Sequence, residues 1–508
     1  MGTTDIEAPV RSRIPAGARG VLLTLAVVVA YVPSLRGPFL SWDDPWLVEG
    51  NPVLATHDTA SLGRIWTDFG VETRITLGAE YLPVRDTVLW LETALFGSWA
   101  PALRIANLIW YVTAVLLLRA YLLRALGPSA GEAAAWLFAL HPAHVESVAW
   151  IAGHKDTLAL LFVAAALALH ARGGRATCWV APLLGVAHLC KAVSVVGVAL
   201  LLAHDCLARR RPDWRVYVPA VLLAAGASWL HASVGATVGM QSGRASLAAV
   251  GGIWPAYFAL VAWPPRLSIV HDLPSPALWG HVVILVLGAL AVALARFRKS
   301  RLPLFAWIWF VLPLLPVSGL FYSLQNAIAD RYLLLSVLGP LVLVAAIPAR
   351  PALLFSLALV LGACSAMRAW QFRADLPLWE DAVAKTRTNA VAPFKLGTCF
   401  ENTGRPLDAA KAYREALRRD PRGERGRAAA NNLAALQAKL GDLRGAEATY
   451  RAAHHTWPRD PKILGNLAEV IARQGRLDEA GALFRDLLAR FPDYQAGRRN
   501  YEAWFGRR

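Results

Sequence analysis

Charge is scarce in this chain: Asp, Glu, Lys and Arg make up only 17% of its 508 residues, against about a quarter in an ordinary soluble domain. Acids are scarcer still, with 35 Asp and Glu against 52 Lys and Arg and a formal net charge of +17. Apolar residues fill the rest, at 56% of the chain and a mean hydropathy of +0.41, which excludes a soluble globular protein of this length. Cysteine is sparse and scattered (Cys178, Cys190, Cys206, Cys364, Cys399). These positions have neither ligand spacing nor a paired framework, which excludes a cysteine-built zinc site and a disulfide scaffold. A small-residue cleavage site is missing behind the first apolar block, GVLLTLAVVVAYVPSL (20–35). That block therefore reads as a retained first helix, although Arg11, Arg13 and Arg19 precede it. A basic stripe with interleaved aromatics is also missing, so the positive charge does not point to nucleic acid.

The apolar residues fall in blocks. A spanning helix needs about 20 of them, and DTLALLFVAAALALHA (156–171) and PALLFSLALVLGACSAM (351–367) approach that length. Three basic clusters, ARGGR (171–175), ARRRPDWR (208–215) and RFRKSR (296–301), sit beside such blocks, as loops held in the cytoplasm do. With these clusters and the tail 1–19 inside, the first helix (about 20–36) delivers an outer loop, 37–101. Further spans are expected at 102–123, 131–147, 157–171, 177–191, 192–207, 216–233, 278–295, 303–320, 331–347 and 351–369. The block 246–264 carries Gly251, Gly252, Pro255 and Pro264 and reads as re-entrant or interfacial, because a full span there would put RFRKSR outside. The expected fold class is all-α: a polytopic bundle of about eleven spans over 20–370, then an outer-face domain over 371–508. The Ala- and Arg-rich composition suggests a bacterium of high coding G+C, with the bundle in the inner membrane and the outer face periplasmic.

After Trp370 the chain turns polar, with 25 Lys and Arg against 17 Asp and Glu over 371–508. Gly404, Gly441 and Gly475 recur at steps of 37 and 34 residues, and Pro421, Pro458 and Pro492 repeat the same steps. Between them recur Asp408 to Ala416, Ala446 to Ala453 and Asp478 to Phe484, each placing Ala and an aromatic at fixed offsets. A 34-residue period with small residues at hairpin contacts and proline after the second helix is the tetratricopeptide pattern. Such a stack either presents a concave peptide-binding surface or acts as a passive spacer.

Three polar loops fall on one face of this topology. SWDDPWLVEGNP (41–52) places Asp43 and Asp44 directly after the first helix. One carboxylate of such a pair can take a proton from an acceptor hydroxyl while the other orients it or binds a metal. A helix cap or a solvated turn is the plainer reading. FALHPAHVESVAWIAGHKD (138–156) gathers His141, His144, Glu146, Lys155 and Asp156 around Pro142, which breaks or kinks its helix. The spacing of its histidines and glutamate matches no standard zinc pattern, so no metal is expected, and a divalent cation is left open. Lys155 suits a phosphate, and a ligand-free polar network between helices is the alternative. NAIADRYLLL (326–335) sets Arg331 and Tyr332 at the mouth of a helix, to grip a lipid phosphate or to snorkel to headgroups. Lys191 and Asp205 are charges within apolar blocks, and Asp205 lies beside the cytoplasmic arginines.

On these segments the chain resembles the membrane-bound, tetratricopeptide-repeat-containing glycosyltransferases of the C-superfamily, whose members include protein O-mannosyltransferases. The resemblance also runs through YLPVRDTVLWLETALFG (81–97), LCKAVSVVGVALLLAHD (189–205), YFALVAWPPRLSIV (257–270) and LPVSGL (315–320). It implies a polyprenyl-phosphate-linked sugar donor, mannose foremost, and a Ser/Thr acceptor on exported proteins that the repeats could hold. It also implies catalytic roles for Asp43 and Asp44, and donor contacts from His141, His144, Glu146, Lys155, Asp156, Arg331, Tyr332 and Arg85. The chain departs from the family where Tyr-Trp/Arg-Pro-Leu-Thr is expected and Tyr81-Leu82-Pro83-Val84-Arg85-Asp86 stands, at Ala192 and at Leu260. Two other readings follow from the same residues: a glycosyltransferase acting on a glycolipid or polysaccharide, and a non-catalytic scaffold working through its repeats.

Overall fold

Prolines and interrupted apolar runs decide where the helices of this protein stop. The structure, a computed structural model, describes residues 15–238, 245–321 and 326–506. Residues 1–14 of the expected cytoplasmic tail, with Arg11 and Arg13, lie outside the described residues. All regular elements among the described residues are helical. The chain divides into two compact units, one running to Leu267 and again over Pro274–Ala374, the other made of Ser268–Leu273 and the chain from Asp375.

Among the described residues of the first unit six helices are long and apolar enough to cross a bilayer: Gly17–Ser34, Ala100–Leu126, Ile151–Arg172, Trp214–Ala236, Trp279–Phe297 and Pro351–Gln371. Their apolar side chains are widely exposed, as at Val21, Leu222, Leu285 and Leu353. Such continuous exposed apolar faces suit a hydrocarbon surround, and the chain is an integral membrane protein. Ile151–Arg172 is the exception, 78% buried and packed between Ala100–Leu126 and Val180–Cys190.

Several expected spans are broken. The helix expected over 131–147 runs only over Pro128–Ala139. His141 is extended (φ −74°, ψ 126°) ahead of Pro142, because the proline ring disfavours helical geometry in the residue before it. Short 3-10 and α turns carry the chain from there to the helix His154–Arg172. The pair expected at 177–191 and 192–207 is joined by an extended Lys191 and a 3-10 segment, Ala192–Val196. Over 303–320 the helix Leu302–Val311 gives way to a 3-10 turn containing Pro313. Over 331–347 only Leu333–Ser336 and Leu338–Ala345 are α-helical. There Pro340 lacks a donor, and its ring meets the carbonyl four residues earlier, that of Ser336. The block 246–264 forms a 16-residue helix, Leu247–Ala262.

The second unit is a stack of helical hairpins: Val391–Asn402 with Pro406–Arg419, Glu424–Lys439 with Leu443–Thr456, and Pro461–Arg473 with Leu477–Arg490. Gly404, Gly441 and Gly475 turn each hairpin at φ of 71°, 88° and 83°, a left-handed conformation that glycine adopts without steric cost. Ala409, Ala446 and Ala480 are fully buried at one repeat position, and Tyr413, Tyr450 and Phe484 at the next. The sequence period is thus a packing period.

Candidate functional site

The first outer-loop carboxylates part company on folding. Asp44 is fully buried: its Oδ2 accepts the Leu40 N–H and its Oδ1 the Ala152 N–H, both at 3.0 Å. It therefore staples the chain after the first helix to the turn that precedes Lys155. Burial pushes its carboxyl up to about 7, the two N–H donors and Arg104 pull against that, and Asp43 adds to it. Arg104, itself buried, holds the same loop from the other side by donating to Ser34 O at 3.0 Å and Pro38 O at 2.6 Å. Asp43 is half-buried and lies within electrostatic reach of Arg331.

Behind Pro142 the two histidines turn inward. His144 shares a hydrogen bond of 2.8 Å between its Nδ1 and the Tyr111 hydroxyl, and His141 Nδ1 accepts the Ala143 N–H at 3.2 Å. Both are buried. Glu146 instead meets Arg331: one oxygen pairs with the guanidinium and the other accepts the Arg331 backbone N–H at 3.1 Å. The guanidinium also lies 5.2 Å from the Tyr332 ring centroid and 5.9 Å from that of Trp150. Asp156 pairs with Lys191, whose ammonium is 5.9 Å from the Tyr332 ring. Lys155 pairs with Glu80. Burial alone would raise the Glu80 carboxyl, but the charges of Lys155 and Arg85 overcome it and hold the group at about 2.

The Asp156–Lys191 pair and Arg331 border a narrow cleft with a cavity volume of ≈ 30 Å³. Asp156, Lys191, Arg331 and Tyr332 form its polar end, and Leu160, Val193, Pro313, Leu334 and Leu335 its apolar wall. The structure thus brings Glu146, Asp156, Arg331 and Tyr332 together, with Lys155 and Asp43 in electrostatic range. His141, His144 and Arg85 do not line this cleft. Arg85 is buried against Asp86 at 2.6 Å and donates to Leu77 O at 2.8 Å, and burial lifts the Asp86 carboxyl to about 6. Among the described residues no group of three or more His, Cys, Asp or Glu converges on a possible metal position.

Sequence reasoning left three participants out of the site. Lys191 had a signal, a lone ammonium between apolar blocks, which is expensive unless paired or functional. Glu80 had none. Glu92 had none either, yet it takes His154 at 3.3 Å and the Trp110 indole N–H at 2.8 Å, fixing the start of the helix that carries Lys155 and Asp156.

A polytopic helical membrane unit with a charged cleft, followed by a helical-repeat unit, defines the class. The tetratricopeptide-repeat family matches residues 360–424 and 431–495. A protein O-mannosyl-transferase of Caenorhabditis elegans is 24% identical over 445 residues, covering 80% of this chain and 63% of its own length. The chain thus spans about 63% of that relative. Among solved structures, ArnT from Cupriavidus metallidurans bound to undecaprenyl phosphate is similar with a TM-score of 0.41 at 16% identity, over 90% of this chain and 81% of that one. The Archaeoglobus fulgidus oligosaccharyltransferase has a TM-score of 0.38 at 12% identity, over 77% and 58%. The chain resembles the transmembrane, tetratricopeptide-repeat-containing glycosyltransferases.

Proposed function

We propose that this protein is a membrane glycosyltransferase that moves a sugar, mannose by resemblance, from a polyprenyl phosphate to Ser or Thr of exported proteins. The observation that carries the reading is the lining of the cleft, because an amphipathic donor needs cations for its phosphate beside apolar side chains for its chain, and Lys191 and Arg331 lie beside Leu160, Val193, Leu334 and Leu335 there. The O-mannosyl-transferase relative supports the same chemistry. In the proposed reaction the acceptor oxygen bonds to the sugar C1 as the bond from C1 to the phosphate oxygen breaks. The acceptor proton goes to Asp43, the half-buried acid of the pair, while Asp44, with both oxygens committed to backbone donors, positions it. Lys191, Arg331 and Lys155 face the charge that gathers on the departing phosphate. The outer face, the periplasm of a bacterium, is the proposed side of action, with the N-terminus cytoplasmic and the repeats holding the acceptor.

One observation favours the scaffold reading: each of the three cations has a carboxylate partner, so the charged groups around the cleft nearly cancel. The test is transfer by the purified protein in detergent from polyprenyl-phosphate-mannose to exported proteins of its own cell. Transfer lost in Asp43→Asn supports the proposal. No transfer by a folded protein whose repeats still capture partners would replace it with the scaffold.

A further inference from the structure

Two basic loops of the first unit meet. Residues 208–215 and 296–301 carry eight Lys and Arg between them against one acid, Asp213. Like charges in such number repel, yet one hydrogen bond ties the two loops together and a second ties the latter loop to the helix that leads into the first. Arg209 Nη2 donates to the Lys299 carbonyl at 2.9 Å, and Arg301 Nη1 to the Cys206 carbonyl at 2.7 Å. Arg209 and Lys299 both hold left-handed backbone, at φ of 55° and 54°, a conformation that costs non-glycine residues energy and persists only where surroundings impose it. Arg210, Arg211 and Arg298 stay exposed on this clasp.

The patch ends two helices with outward apolar faces. Trp214–Ala236 is only 17% buried and Trp279–Phe297 only 22%. At their junction with the loops, Trp214 is 68% exposed and Phe297 82% exposed. Clustered cations directly above exposed aliphatic helix faces match a molecule that is anionic at one end and apolar at the other. We infer that the clasped loops 208–215 and 296–301 bind the headgroup of an anionic phospholipid, whose chains lie along these two helices. Zwitterionic lipid offers the same chains without net charge, and a polyanion such as nucleic acid offers charge without chains, so neither matches both halves of the surface.

The test is native mass spectrometry of the full chain in detergent, delipidated and titrated with phosphatidylglycerol or with phosphatidylcholine of the same chains. The wild type should bind phosphatidylglycerol at least tenfold more tightly. The variant R210Q/R211Q/R298Q removes three cations that make no bond within the clasp, and should weaken phosphatidylglycerol on the order of 100-fold while leaving phosphatidylcholine unchanged. Its thermal unfolding should match the wild type. Equal binding of the two lipids by the wild type, or unchanged phosphatidylglycerol binding by the variant, overturns the inference. Displacement of the bound lipid by a short oligonucleotide at micromolar concentration would overturn it too, by making the patch a general polyanion surface.

Discussion

Replacing Asp44 by Asn separates the two acids that the sequence presents as a pair. Asp44 is buried with a carboxyl raised from 3.8 to about 7. A raised acid binds its proton more readily in the folded state, so the fold is most stable below the ordinary carboxylate value. Stability then falls as the pH rises from about 4 towards 7 and levels off above that. At about 1.4 kcal/mol per unit, the span corresponds to roughly 4 kcal/mol. Asn carries no charge and abolishes this dependence. Its amide replaces one of two acceptor oxygens, so either the Leu40 or the Ala152 N–H loses its partner, at about 1–3 kcal/mol. The two effects oppose each other at neutral pH, and the slope, not the midpoint, is the diagnostic quantity. Thermal unfolding in detergent between pH 4.5 and 8 should show the wild type losing stability across the range and Asp44→Asn losing much less. An unchanged slope would refute the assignment of a buried, proton-binding carboxyl. In the transfer assay Asp44→Asn should retain measurable activity with a lowered rate, whereas Asp43→Asn should have none.

Glu80 is the least buried carboxylate of the three pairs, its side chain at 37% exposure against 0% for Glu146 and 2% for Asp156. On the proposed function, Glu80→Gln should therefore free Lys155 and tighten binding of a polyprenyl phosphate about tenfold, read by native mass spectrometry. Glu146→Gln leaves the Arg331 guanidinium without its buried counter-charge and should lower stability by about 3–5 kcal/mol, seen as a fall in Tm with the helical circular dichroism of the native state unchanged. Gly441→Ala forces a side chain into a backbone of φ 88° and should cost about 1 kcal/mol or more, measured as an earlier melting transition.

The repeat unit was legible because its signal is a period: glycine, alanine and proline recur where the hairpin geometry admits little else. The membrane character was legible too, from apolar blocks and their basic flanks. The break at Pro142 was legible from the proline itself, but the one near Pro340 was not, since the 331–347 pattern stays apolar across it and hydropathy does not register a missing N–H. At the site, Glu146, Arg331 and Asp156 were readable as charges in apolar company. Their pairings across 185 residues (Glu146 with Arg331) and 35 residues (Asp156 with Lys191) were not, because no local spacing encodes them. Asp43 and Asp44 are adjacent and chemically identical, and only tertiary burial distinguishes them. His141 and His144 stand out in the sequence as polar residues in apolar company and Arg85 through the resemblance; in the structure they bond to Ala143, Tyr111 and Leu77 and lie outside the lining of the cleft.

Glu80 is tethered to the lysine it neutralises. A tethered competitor acts at an effective concentration in the millimolar range whatever the surroundings contain. Any anion that takes Lys155 must outcompete it on arrival, and faces it again for as long as it stays. The arrangement sets a ceiling on residence time: a ligand held mainly by charge leaves quickly, and one that lingers must owe it to the apolar wall. Occupancy of the cleft should consequently depend on chain length more steeply than on phosphate charge.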